Sequence, residues 1–352
     1  MDIITHAITG ALVASAFSPQ NLRRKTAVLG AIGASLPDLD VLIRSSTDPL
    51  LVLEYHRHFT HSLVFSPLGA ALAALLLWPV FRQHLTAKAL YLAVLAGYVS
   101  ACVLDVFTSY GTHLFWPFLP HPIALNKIAV VDPIFTGLII AGLIFSLTKP
   151  ATPAQHNEPH QTSGPSSWRS WVGVIAGALY LCGGTLQFHR AETAARQWAE
   201  GQAITVSTIL VKPTLGNLVL WRALISGDGT VHALAVRPGL FNTRIYPGDS
   251  AQLLPPEALN LPEGSRALRD IERFYAFAEG YLVQFPGSVD EVGDVRYAML
   301  PTSVIPLWGV RVSHNDADGH TDFFTRRDTA PQTRQTFLQM LTGKPLRDTL
   351  PL

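Results

Sequence analysis

The sequence predicts an α-helical transmembrane bundle of five to six spans followed by a soluble α+β domain, and three observations carry that expectation. Charged residues make up 14% of the 352 positions and hydrophobic ones 48%, with a mean hydropathy of +0.26, whereas ordinary soluble domains are about 25% charged. The charge is unevenly spread: residues 1–190 hold 11 Lys/Arg and 8 Asp/Glu, against 15 and 17 in residues 191–352. The long apolar runs all fall in the first part. The net charge of +1 gives no sign of a nucleic-acid partner.

Apolar segments lie near Ile3–Phe17, Ala27–Ile43, Ser62–Phe81, Ala89–Val106, Pro133–Leu147 and Trp171–Phe188. The third, fourth and sixth reach the roughly 17–25 residues that a span requires. The others are short or carry carboxylates. The resulting division is a membrane-embedded domain over residues 1–148, a flexible cytoplasmic loop over 149–170, a last transmembrane helix over 171–190 and an extracytoplasmic α+β domain over 191–352. The first stretch begins at once, lacks a basic flank and carries Asp2 and His6, so no cleavable signal peptide is expected. Cys102 and Cys182 sit in apolar runs, which predicts neither a disulfide framework nor a cysteine-based zinc site.

If all six segments cross as antiparallel neighbours, one side collects Arg23, Arg24, Lys25, Arg82, Lys88, Lys149 and Arg169. The other side has Arg44, Arg57 and Lys127. The positive-inside rule then puts the first side in the cytoplasm and both the N-terminus and the segment after Phe188 outside. Acidic residues divide the other way. Asp2, Asp38, Asp40, Asp48, Glu54, Asp105 and Asp132 fall at outward ends or loops, and only Glu158 does not. His6, His56, His58, His61, His113 and His121 fall outward too. Carboxylates at a membrane boundary are expensive and usually functional.

Four clusters stand out at that outward mouth. Asp2 and His6 are four apart, on one face of a helix beginning there, although an N-cap aspartate with an interfacial histidine would look the same. Asp38 and Asp40 in Pro-Asp-Leu-Asp point apart on a regular helix. Pro37 disfavours helix at Leu36, which lets both turn toward one ion. His56-Arg57-His58-Phe59-Thr60-His61 precedes a long apolar span. Imidazoles with carboxylates suit zinc and other first-row metals, and Arg57 suits a phosphate or carboxylate; a snorkelling belt is the plain alternative. Asp132-Pro133 reads as a helix start with proline at the first helical position or as a metal ligand, whereas Asp105, inside Leu-Asp-Val-Phe, needs a partner. Together these groups have the make-up of a mono- or dinuclear hydrolytic site, in which a metal acidifies a bound water. His156 and His160, four apart in the loop, lack a carboxylate partner and are not read as a metal pair.

The strings MDIITHAITGA, SLPDLDVLI, HRHFTHSLV, LDVFTSYGTHLFWPF and VVDPIF resemble, in this order, the motifs of the YdjM-type membrane-bound metal-dependent hydrolases. That family is also described as LexA-binding and inner membrane-associated. The resemblance covers about residues 1–150. It implies a divalent-metal hydrolase of the bacterial inner membrane, distantly similar to zinc-dependent phospholipases C. By residue it carries over to His6, Asp38, Asp40, His56, Arg57, His61, Asp105 and Asp132. His58, His113 and His121 match no motif position.

The expected roles follow. Zinc or another divalent ion is held by His6, Asp40, His56, His61, Asp105 and Asp132. Asp38 is the preferred general base, and Arg57 stabilises developing negative charge. The substrate is a membrane lipid or another phosphoester. A transporter is the runner-up, although transport sites sit near the midplane and usually come with an internal repeat, which is not seen here. A non-catalytic scaffold with a saturated metal site is the third reading.

Beyond Phe188 a short polar helix, Ala191–Gly201, is expected. Strands follow near Ala203–Val211, Leu218–Ile225, Val231–Val236, Phe241–Ile245, Gly280–Phe285, Val295–Leu300 and Gly309–Ser313, with Gly227-Asp228-Gly229 as a hairpin turn. Ala258–Tyr275 has a helical pattern. Asn315–His320 faintly resembles a calcium loop but lacks the closing glutamate, so a hairpin tip is expected. This part shows no catalytic constellation of its own.

Overall fold

The computed structural model describes residues 1–148, 168–239, 241–312 and 318–346. His156, His160 and most of the expected 149–170 loop lie outside the described residues, as does the first half of Asn315–His320. The chain divides into two compact units: residues 1–41, 55–184 and 215–217, and residues 42–54, 185–214 and 218–352.

The first unit is helical, with α1 (Ile3–Ala16), α2 (Arg23–Ser35), α4 (Ser66–Phe81), α5 (Ala87–Val106), α6 (Pro133–Leu147) and the first part of α7 (Trp168–Gly201), while the short α3 (Leu51–Tyr55) falls in the second unit but for its last residue. Helix α2 lies at the middle, against α1 and α5, and the close approach depends on missing side chains. A Cβ at Gly97 would stand 2.0 Å from the Gly30 carbonyl oxygen, and one at Gly30 would stand 2.3 Å from that of Gly10. Among the described residues two helices are long and apolar enough to cross a membrane, Ala87–Val106 and Trp168–Gly201. A third appears if Leu51–His61 and Ser66–Phe81, bent by 83°, are one broken span. Five to six spans are therefore not supported. Helices α1 and α6 have 14 and 15 residues. At 1.5 Å per residue they reach a little over 20 Å, short of a hydrocarbon core of about 30 Å. The second apolar run breaks at Pro37, so α2 has 13 residues and opens on Arg23, Arg24 and Lys25.

Among the described residues the second unit has two four-stranded antiparallel sheets, β1-β2-β3-β4 and β5-β6-β7-β8. The first comprises β1 (Thr208–Pro213), β2 (Trp221–Gly227), β3 (Thr230–Pro238) and β4 (Thr243–Gln252). The second comprises β5 (Leu282–Gln284), β6 (Glu291–Asp294), β7 (Trp308–Arg311) and β8 (Asp322–Thr325). Alternation assigns the faces. Trp221, Ala223 and Ile225 pack against Ala191, Ala195 and Ala199 of α7, and Leu224 with Val231 packs against Val283 and Val295. Helix α8 (Arg266–Phe277) covers the far face of the second sheet through Ala267, Ile271 and Phe274. The β2–β3 turn is the expected hairpin: Asp228 and Gly229 both have positive φ, 50° and 74°, as a type I′ turn requires.

Several elements depart from the sequence reading. The expected last span and the polar helix after it are one continuous 34-residue helix. The strand expected at Val295–Leu300 forms earlier, at Glu291–Asp294, and β8 and α9 (Pro331–Thr342) were not anticipated. Residues 42–54, which link the two richest motifs, belong to the second unit. There Leu50 joins the core of Ile271 and Phe274, and Arg273 pairs with Asp48 at 2.9 Å and Glu54 at 2.6 Å.

Candidate metal centre

Four segments bring the site together: the second turn of α1, the 3-10 turn Pro37–Leu42 after α2, the bend Arg57–Ser62 before α4, and the last turn of α5. Asp2 caps α1 by accepting from the Thr5 N–H at 3.0 Å. The fully buried His6 lies one turn further on. Helix α2 stops at Ser35, and Pro37 opens a 3-10 turn in which both aspartates reach the same imidazole. The third segment ends in a short 3-10 turn, Phe59–His61, and Tyr98 of α5 ties it down by donating to the Thr60 carbonyl at 2.7 Å.

His61 is at the centre and is fully buried. Its Nδ1 faces Asp40 Oδ2 at 3.2 Å, while Nε2 stands 3.5 Å from Asp38 Oδ1 and 3.3 Å from Asp105 Oδ2. His6 bridges the same two carboxylates, with Nδ1 at 2.9 Å from Asp38 Oδ2 and Nε2 at 3.1 Å from Asp105 Oδ1. That Asp105 Oδ1 also takes Arg57 Nη2 at 3.1 Å and the Met1 ammonium. His61 Nε2 and Asp105 Oδ2 are buried without a hydrogen-bond partner among the described residues. Buried polar atoms are normally satisfied, and an imidazole nitrogen and a carboxylate oxygen facing each other beside Asp38 suit a divalent cation. Ligand atoms of His6, Asp38 and Asp105 all lie within 4.8 Å of one another. Imidazole nitrogens and carboxylate oxygens in that number form a donor set suited to zinc or a similar divalent ion.

The predicted ligands separate into distinct positions. His6, His61 and Asp105 gather at this point, and Asp38, read from sequence as the general base, stands among them. Asp40 faces outward from the cluster. Its Oδ2 accepts from the Arg57 amide at 2.7 Å and Thr60 Oγ1 at 3.0 Å, and its Oδ1 meets His56 Nδ1 at 2.9 Å. A carboxylate on the far nitrogen of a ligand histidine fixes ring and tautomer, and Asp40 has that relation to His61. His56 is held on Asp40 and on Tyr110, whose ring centroid is 5.0 Å away, rather than in the donor cluster. Asp132, expected as a ligand, is used up elsewhere. One oxygen caps α6 at the Ile134 and Phe135 amides, both at 3.0 Å, and the other accepts from Tyr180 Oη at 2.9 Å. The Asp-Pro helix-start reading therefore describes it fully.

Arg57 is buried and has a positive φ of 60°, a conformation that costs a non-glycine residue about 1–2 kcal/mol. Its guanidinium donates to Thr108 Oγ1 at 2.7 Å and lies 5.3 Å from the Tyr110 ring centroid. Thr108 and Tyr110 were missed by sequence reasoning, although both follow Asp105 within LDVFTSYG. The His58 and His113 rings lie against each other at a tilt of 52°, centroids 4.5 Å apart, and neither belongs to the donor cluster.

A family model described as YdjM inner membrane protein matches residues 1–191. No curated protein and no solved structure matches the chain at a significant level.

Proposed function

The chain belongs to the YdjM inner membrane protein family, and on that premise we propose that it is a membrane-bound metal-dependent hydrolase acting on a lipid or other phosphoester at the outer face of the membrane. One observation carries the reading: the orphaned His61 Nε2 and Asp105 Oδ2 face each other beside Asp38. His6, Asp38, His61 and Asp105 would hold the ion. A divalent cation there supplies Lewis acidity, polarising a phosphoryl oxygen and acidifying water.

The chain's own groups do the rest. Asp40 holds His61 in the tautomer that points a nitrogen lone pair at the donor cluster. The Asp38 side chain is 14% exposed and that of His56 is 27%, whereas Asp40, Asp105 and His61 are closed off, so substrate approaches past Asp38 and His56. His56, backed by Asp40, accepts a proton from the attacking water at its Nε2 and returns it to the departing ester oxygen, a general acid–base role. Water adds to phosphorus, the ester P–O bond breaks, and the products are a phosphate and an alcohol. Arg57 keeps Asp105 in place and offsets negative charge on the substrate.

Metal analysis of detergent-purified protein, paired with a screen of lipid and soluble phosphoesters, tests this. His61→Ala and Asp105→Asn should each lose bound metal and hydrolysis, whereas Asp132→Asn should keep its metal. Wild-type metal content in His61→Ala would sink the site assignment. The 83° bend between Leu51–His61 and Ser66–Phe81 favours a second reading, ion passage at a broken span. Metal-dependent uptake into vesicles without hydrolysis would select it.

A further inference from the structure

Between Asp105 and Lys127 the sequence has no Asp, Glu, Lys or Arg. The loop at its centre is turned outward, with Phe115 43% exposed, Phe118 79% and Leu119 49%. In water such a patch is a liability, and burial of aromatic and aliphatic side chains is worth about 1.5–3 kcal/mol each.

Several of its backbone amides are paired within the loop itself. Leu114 N–H donates to the Thr112 carbonyl, Trp116 to His113, and both Phe118 and Leu119 to Phe115, at 2.9–3.2 Å. Pro117, Pro120 and Pro122 have no N–H to satisfy. The loop is also continuous with the apolar surface of α4. Leu63, just before that helix, donates to the Leu114 carbonyl at 2.9 Å, and Val64 beside it with Leu68, Leu72, Leu75 and Leu76 along the helix are all at least half exposed. At its other side the loop adjoins the site, since the His113 N–H donates to the Arg57 carbonyl at 3.0 Å.

We propose that the Phe115–Leu119 loop inserts into the acyl–headgroup boundary of the bilayer, so that the site beside Arg57 receives the polar head of a membrane lipid rather than a phosphoester from solution. The insertion stands on the exposed loop alone, whereas the substrate class rests on the hydrolase reading.

The test uses the full chain in vesicles of phosphatidylethanolamine and phosphatidylglycerol. An environment-sensitive fluorophore is placed at Phe118→Cys in a Cys182→Ser background, Cys102 being buried. Spin-labelled lipids should quench it and aqueous iodide should not. The same label at Val289→Cys, 74% exposed in the second unit, should respond to iodide. Iodide quenching at position 118, or protection from both quenchers as under a protein partner, would overturn insertion. In the second arm, Phe118→Ser should keep its metal and slow headgroup release from vesicle lipid at least about tenfold, leaving hydrolysis of a short soluble phosphoester unchanged. Equal loss on both substrates would overturn the lipid assignment. A lipid-quenched label with no hydrolysis of any phosphoester would instead count against the hydrolase reading and leave insertion standing.

Discussion

In the helical unit His6, His61 and Asp105 are fully enclosed while Leu75 and Leu76 stand 70% and 80% exposed. In the C-terminal unit the arrangement reverses, with Trp221, Ile225, Leu234 and Val292 at 0% exposure and Glu263, Arg266 and Arg269 on the surface. Both units hold buried charge, but it is balanced differently. Arg296 of the C-terminal unit is saturated by Asp294, the Phe277 carbonyl and Glu279, and Arg222 gives both terminal nitrogens to backbone carbonyls, as groups of a structural network do. The helical unit instead leaves two facing atoms unsatisfied. That contrast separates a network that completes a fold from a constellation that expects a ligand.

The contrast breaks most completely at the helix crossings. The helical unit packs by backbone approach, so Gly97→Val forces a side chain into the Gly30 carbonyl. Overpacking of a closed core costs about 1–3 kcal/mol where side chains can give way, and here the obstacle is backbone. The expected outcome is a full chain that no longer extracts as a monodisperse species in detergent. Wild-type extraction and metal content would show that the α2–α5 contact is looser than the structure has it.

A smaller effect sharpens the contrast at the site. If Asp40 orients His61 rather than binding metal itself, Asp40→Asn should weaken metal affinity about 10–100-fold without abolishing binding. Chelator competition on the purified protein measures this. Loss as complete as in His61→Ala would make Asp40 a ligand and return the site to the arrangement expected from sequence.

Much of that arrangement was legible because its chemistry is unusual where it occurs. An aspartate inside Leu-Asp-Val-Phe and histidines at the head of an apolar run cannot be explained as solvated surface, and Asp105, His61 and His6 do converge. What remained hidden depends on distances that spacing does not set. Asp38 and Asp40 are two residues apart in either reading, and only the 3-10 turn after Pro37 decides which nitrogen of His61 each one meets. Asp132 had two valid readings, and Tyr180, 48 positions away, settles it as a cap. The span count failed because an apolar run measures composition while a crossing needs uninterrupted helix; the run Ala27–Ile43 loses its last turns at Pro37. The placement of residues 42–54 in the second unit rests on Arg273, more than 200 positions distant, and no local pattern announces such a pairing.

The smallest expected effect lies in the C-terminal unit and tests whether its buried charge is purely structural. Lys212 of β1 is buried, donates to Tyr297 Oη at 3.1 Å and lies 4.2 Å from that ring's centroid. Burial and then the Arg296 charge push its ammonium from an ordinary value near 10.5 down to about 7, against the opposing pull of Asp294 and Glu279. Below that value the lysine is charged whether the unit is folded or unfolded, and folding bears the full cost of enclosing the charge. Between about 7 and 10.5 the folded state has released a proton that the unfolded state still holds, so stability rises with pH across that window. Arg222, pushed down to about 9 by burial, adds to the rise only at the alkaline end, so the informative range is about pH 7 to 8.5. Hydrogen-exchange protection of the β1–β3 amides in the full-length protein should increase over that range, and Lys212→Met should flatten the increase while leaving metal content at the helical site unchanged. Parallel pH profiles for the two proteins would mean that the lysine keeps its proton in the fold, with the Tyr297 ring and Asp294 sufficient to hold it charged.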